Sequence, residues 1–201
     1  MEIFLYNFSF IWFNLSLALI AVLFGYLMLW AKSKIFKAVC GFLWLIFLPN
    51  TIYILTDISH LYEEWPKVDL LFKFILILQY GLFAIAGILT FIYAMYFFER
   101  LLEKKNKKRR KPSTFIIIFI LNFIVGFGVI LGGIQRTNSW YIFTDPIRVI
   151  NDSLGVLNSS YLLSLSAISG LLFNIIYFYL VKLVTNWGKF RIKLASQQNI
   201  F

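Results

Sequence analysis

The chain has 201 residues, of which 61% are hydrophobic, 20% aromatic and only 14% charged, a balance outside the range of soluble globular domains. Its net charge of +10 is confined to short segments beside apolar runs, the pattern of a membrane protein touching anionic lipid, so no nucleic-acid partner is expected. One cysteine, Cys40, and one histidine, His60, exclude an intramolecular disulfide, a cysteine zinc site and a multi-histidine metal centre, and no metal is assigned.

Five apolar stretches reach the roughly 20 residues that a helical span needs. The first runs from Phe8 to Trp30. The segment before it, Met1 to Leu5, lacks the basic start of a cleavable signal, so the first helix reads as uncleaved. The second, Phe36 to Thr56, contains Pro49. Ala38 to Leu48 covers about 16 Å at ~1.5 Å per residue, too short to cross alone. The helix therefore either continues past Pro49 with a kink or breaks within the membrane.

The third stretch, Leu70 to Phe98, is long enough to tilt or to run into the interface. The basic run Lys104 to Lys111 follows and reads as a loop that fixes topology at anionic headgroups. The fourth stretch is Thr114 to Gly132 and the fifth Tyr161 to Val184. Gly128 with Gly132, and Ser166 with Gly170, are small-xxx-small pairs that predict close helix packing in lipid. Gln79, Asn122 and Asn174 lie within spans and are expected to hydrogen-bond between helices. The expected fold is all-α and polytopic, one transmembrane domain over residues 1–201.

Fifteen of the nineteen Lys and Arg can be placed on one side of a bilayer: Lys32, Lys34 and Lys37, the run from Arg100 to Lys111, and Lys182, Lys189, Arg191 and Lys193. Because cytoplasmic loops retain Lys and Arg, five crossings put the N-terminus outside and the C-terminus in the cytoplasm. The same orientation brings two polar segments to the outer side. One is Asn50 to His60, the other Gln135 to Trp140.

If the chain is helical from Asn50 onward, Asn50, Tyr53, Asp57 and His60 fall within an arc of roughly 80°. A carboxylate at membrane depth normally has a partner, and Arg136 is the natural candidate for Asp57. Asn138, Ser139 and Trp140 add an amide, a hydroxyl and an amphipathic ring. The alternative for these groups is an ordinary wet interface with an aromatic belt and a snorkelling arginine.

The string Trp44-Leu45-Ile46-Phe47-Leu48-Pro49-Asn50, continuing through Tyr53, Thr56-Asp57 and His60, resembles an uncharacterised family of bacterial integral membrane proteins, domain of unknown function 1361. Arg136-Thr137-Asn138-Ser139-Trp140 resembles that family's second motif, after a Gly-rich span. The resemblance covers nearly the whole chain and implies a bacterial inner (cytoplasmic) membrane, with no established activity or cofactor. Gly133, Thr137 and Tyr141 depart from the family pattern, which carries Arg, Trp and an acid at those places.

Three function classes are open. The first is an enzyme or binder acting on an anionic lipid headgroup or cell-envelope intermediate at the outer surface. There Asn50, Tyr53, Arg136, Asn138, Ser139 and Trp140 would bind, and Asp57 or His60 would act as general base. The second is a small transporter, disfavoured because no charge lies deep in a span. The third is a non-catalytic assembly or partner subunit whose polar cluster ties helices together. The first is preferred because its groups converge on one surface.

Overall fold

The computed structural model describes residues 2–53, 58–106 and 112–198, and every regular element among them is helical. In chain order these are α1 (Glu2–Trp30), α2 (Lys34–Tyr53), α3 (Ile58–Glu64), a 3-10 turn (Trp65–Lys67), α4 (Leu70–Asn106), α5 (Pro112–Gly133), α6 (Tyr141–Thr144), α7 (Pro146–Asn158) and α8 (Ser160–Gln198). Five stretches are long and apolar enough to cross a membrane: Asn7–Trp30, Lys34–Tyr53, Leu70–Glu103, Pro112–Gly133 and Ser160–Leu180. They coincide closely with the five expected spans. Each is apolar all round, as a helix must be when one side faces protein and the other lipid.

The spans alternate in direction. One end of the bundle holds the α1–α2 turn, the end of α4 and the start of α5. The other end, the motif end, holds the close of α2, α3, the start of α4, the close of α5, α6, α7 and the start of α8. Two packed groups form the body: α1 lies against α2 and α4, and α5 lies against α8. α2 and α4 join them, α2 by touching α5 and α4 by touching both α5 and α8. The largest core cluster, which includes Trp44, Leu48, Phe91, Met95, Val125 and Tyr177, sits at this junction.

Lipid offers no hydrophobic drive between helices, so contacts are made by close packing and hydrogen bonds. The α5–α8 pair uses both. Asn122 Nδ2 donates to Asn174 Oδ1 at 2.9 Å, and Asn174 Nδ2 donates to the Phe119 and Gly170 carbonyls. A Cβ on Gly126 would stand 2.6 Å from the Ser166 carbonyl oxygen and 2.7 Å from the Gly170 nitrogen. The partner of Ser166 and Gly170 is therefore Gly126. Gly128 instead meets the Pro49 ring of α2, where a Cβ would lie 2.5 Å from Cγ, and Gly132 faces Tyr53. Trp44 Nε1 donates to the Ala94 carbonyl to fasten α2 to α4, and Tyr177 OH donates to Glu99 at 2.7 Å to fasten α8 to α4. Gln79 departs from expectation: its side-chain oxygen is buried with no hydrogen-bond partner among the described residues.

α2 continues past Pro49 to Tyr53 rather than breaking there. Pro49 supplies no N–H to the carbonyl one turn earlier. Side chains brace the turn instead: Asn50 Nδ2 donates to the Phe47 carbonyl and Thr51 Oγ1 to the Leu48 carbonyl. Residues 54–57, including Thr56 and Asp57, lie outside the described residues, and His60 falls on α3.

The α6–α7 arm between the fourth and fifth spans has no counterpart in the sequence expectations. Asp145 caps α7 by accepting the Arg148 N–H at 3.2 Å, with Pro146 at the first helical position, an ordinary helix start. Ile147, Ile150, Leu154 and Leu157 form one exposed apolar arc. Asn151 and Asn158 lie beside that arc, while Val149, Asp152 and Val156 turn toward the bundle. This is the build of a helix lying along a membrane interface.

Candidate functional site

At the motif end a cleft of about 340 Å³ opens between α1, α2 and α5, with Ile142 of α6 and Val149 of α7 on its flank. Its walls are apolar: Phe13 and Leu17 from α1, Phe42, Leu45 and Ile46 from α2, Ile124, Phe127 and Leu131 from α5. Its polar groups are Asn14, Asn50, Tyr53, Thr137, Asn138 and Ser139. Apolar walls with a few placed polar groups are the usual composition of a small-ligand site.

The two sequence motifs meet here. Asn50 Nδ2 donates to Ser139 Oγ at 2.7 Å across 89 residues of sequence. Asn50 and Tyr53 reach the cleft because they are one turn apart on α2. Asn138 and Ser139 reach it because the chain reverses after α5. Thr137 N–H donates back to the Leu131 carbonyl at 3.0 Å, and Arg136 makes the reversal with φ 57°. The Asn138 side chain lines the cleft and makes no hydrogen bond among the described residues.

A second pair of side chains fixes this loop. Thr137 Oγ1 donates to Asp152, which also pairs with Arg148 Nε at 3.5 Å. Arg148 Nη2 donates to the Arg136 carbonyl at 3.4 Å, and its guanidinium lies 4.6 Å from the Tyr141 ring centre. Thr137 and Tyr141 thus contact one Arg148–Asp152 pair. Asp152 and Arg148 were not singled out in the sequence. The signal available was their i, i+4 spacing on the Pro146–Asn158 helix.

Of the sequence-predicted residues, Asn50, Tyr53, Asn138 and Ser139 share the cleft. Trp140 stands outside the lining, edge-to-face with Phe13 at 5.8 Å. Arg136 is exposed next to the lining loop, and its guanidinium has no ion-pair or hydrogen-bond partner among the described residues. His60 is half-buried on α3 and is not in the lining. The expected Asp57–Arg136 pair falls on Asp57, outside the described residues.

Five membrane-length helices, three of which enclose a polar-ended cleft, define a multi-pass membrane protein. A family model described as "Protein of unknown function (DUF1361)" matches residues 13–177, and the chain belongs to that family. The match takes in both motifs, all cleft-lining residues and the α6–α7 arm. No curated protein and no solved structure matches the chain.

Proposed function

We propose that the motif end faces the outer side of a bacterial cytoplasmic membrane and that the cleft there binds the anionic headgroup of a lipid or cell-envelope intermediate. The observation that carries this reading is the junction of Asn50 and Ser139 at 2.7 Å within the apolar-walled cleft. Asn138 offers an amide there, and the Arg136 guanidinium stands beside it, both without a hydrogen-bond partner among the described residues and suited to pair with a phosphate. Lys and Arg crowd the opposite end, which supports the orientation. In a catalytic extension Asp57 or His60 would move a proton at the headgroup. Binding is the better supported part, because the lining groups among the described residues are donors and acceptors rather than an assembled acid and base.

The rival is an assembly subunit in which the same contacts only clamp helices. Asn138→Ala separates the two, since its side chain has no described hydrogen bond to lose. Purified variant and parent are compared for thermal unfolding and for co-purified anionic lipid. The expected result is unchanged unfolding with reduced lipid retention. Unchanged retention in a fully stable Asn138→Ala protein would leave the clamp as the better account.

A further inference from the structure

The cleft, its polar end included, has a definite depth. Along α2 its lining runs from Phe42 to Tyr53, eleven residue steps, or about 16 Å at ~1.5 Å per residue. That is roughly half of the ~30 Å hydrocarbon core, the depth of a single leaflet. Along α5 the lining runs from Ile124 to Gly132, in the half of that helix nearest the motif end. The polar groups Asn50, Tyr53, Asn138 and Ser139 all stand at the motif end of this slot.

The slot is also open sideways. Phe13, Phe42 and Ile124 line it and are about half exposed, on helices whose other exposed apolar side chains form the lipid-facing belt. Phe143 of α6 packs edge-to-face on Phe42 at 6.4 Å, so this side chain reaches down beside α2 and flanks the slot. The exposed apolar arc of α7 then continues the same lipid-facing surface.

We infer that the slot takes the aliphatic chain of an anionic lipid from the motif-end leaflet, entering laterally from the bilayer, with its headgroup at Asn50, Asn138 and Ser139. The inference rests on the headgroup reading above and names its ligand class: an amphiphile held by chain and headgroup together, not a soluble anion. A slot one leaflet deep, with apolar walls and its polar groups at one end, matches that single occupant in polarity, length and direction of entry.

The test uses the purified full chain in phosphatidylcholine nanodiscs containing phosphatidylglycerol with a diazirine in one acyl chain. Photolabelling is expected to concentrate on Phe42, Leu45, Ile46, Ile124 and Phe127, above the lipid-facing Leu23, Leu78 and Leu171. Ile124→Trp, which fills the slot from its mouth, should lower labelling there about tenfold, the equivalent of roughly two buried methylenes. Labelling spread evenly around the belt overturns the proposal, and that map needs no variant, so a misfolded Ile124→Trp does not obscure it. Competition by glycerol phosphate separates the two ideas. Even labelling with saturable glycerol phosphate binding sinks the slot and leaves the headgroup site standing. Slot labelling that Asn138→Ala and glycerol phosphate both leave unchanged supports the chain in the slot and removes the headgroup site.

Discussion

Arg136 carries a backbone cost as well as a charge. Its φ of 57° is a conformation that L residues other than Asn and Asp seldom adopt, and it costs about 1 kcal/mol or more. A glycine there would serve the turn better, so the side chain is what the position retains at a cost to stability. Arg136→Gly should leave thermal stability equal or slightly higher, while Arg136→Ala should not gain, and both should lose anionic-lipid retention. Equal retention in both variants would reduce Arg136 to a turn residue. Asp152 is the opposite case, a residue that holds the loop without entering the cleft. It accepts from Thr137 and pairs with Arg148, so Asp152→Ala should cost about 1–3 kcal/mol in unfolding experiments. The Arg136 motif was legible in the sequence because its residue types stand out beside a span. Its left-handed backbone was not, because Gly133 nearby is the more usual site for such a turn. Asp152 was not legible either, since its contact with Thr137 exists only once α7 has docked.

Glycine spacing in α5 shows how far pattern reasoning reaches at the scale of one helix. Gly126 and Gly128 are two residues apart, so they point roughly 200° apart and serve different neighbours. Gly126 meets the α8 backbone and Gly128 the Pro49 ring. Spacing alone paired Gly128 with Gly132, and both do face α2, at Pro49 and Tyr53; it left out Gly126, the glycine that meets Ser166 and Gly170. The expected order of cost follows from what each added methyl would strike. Gly126→Ala would push against backbone, which can yield only if α5 and α8 separate, and should cost about 1–3 kcal/mol or more. Gly128→Ala meets a rigid ring and should cost somewhat less, loosening the α2–α5 contact. Gly132→Ala approaches Tyr53 no nearer than 3.7 Å and should be neutral or stabilising, because alanine favours helix by up to ~1 kcal/mol. Unfolding in detergent by heat or denaturant checks the order, and an equal cost at 126 and 132 would remove the argument. α7 was missed for a different reason: thirteen residues with polar groups among the apolar ones fail a span-length test, although their 3.6-residue period was readable.

For the whole molecule, the five spans were the most legible feature, since crossing a bilayer imposes a length and polarity that no other fold requires. Their lateral arrangement was not legible: which helices touch depends on side-chain fit, and the contacts of α2 and α4 that link α1 to the α5–α8 pair leave no mark in composition. Orientation rests on charge alone, with fifteen basic residues assigned to one side, and it decides on which face of the membrane the cleft opens. A cysteine-free background is accessible through Cys40→Ala, because Cys40 is the only cysteine and is buried, so the native thiol serves no surface contact. Single cysteines then report the faces. Lys107→Cys lies in the basic segment that should stay in the cytoplasm. Tyr62→Cys replaces an exposed residue of α3 at the motif end, and Asn151→Cys sits at an exposed position of α7. In intact cells an impermeant maleimide should label positions 62 and 151 and spare 107 until the membrane is opened. The position on α7 tests more than orientation, because its labelling requires that Asn151 face water while Ile150 and Leu154 face lipid. Protection of 151 with labelling of 62 would place α7 within the hydrocarbon rather than along the interface. Labelling of 107 from outside would reverse the molecule and put the cleft on the cytoplasmic face, where the same lipid chemistry would have to come from the inner leaflet.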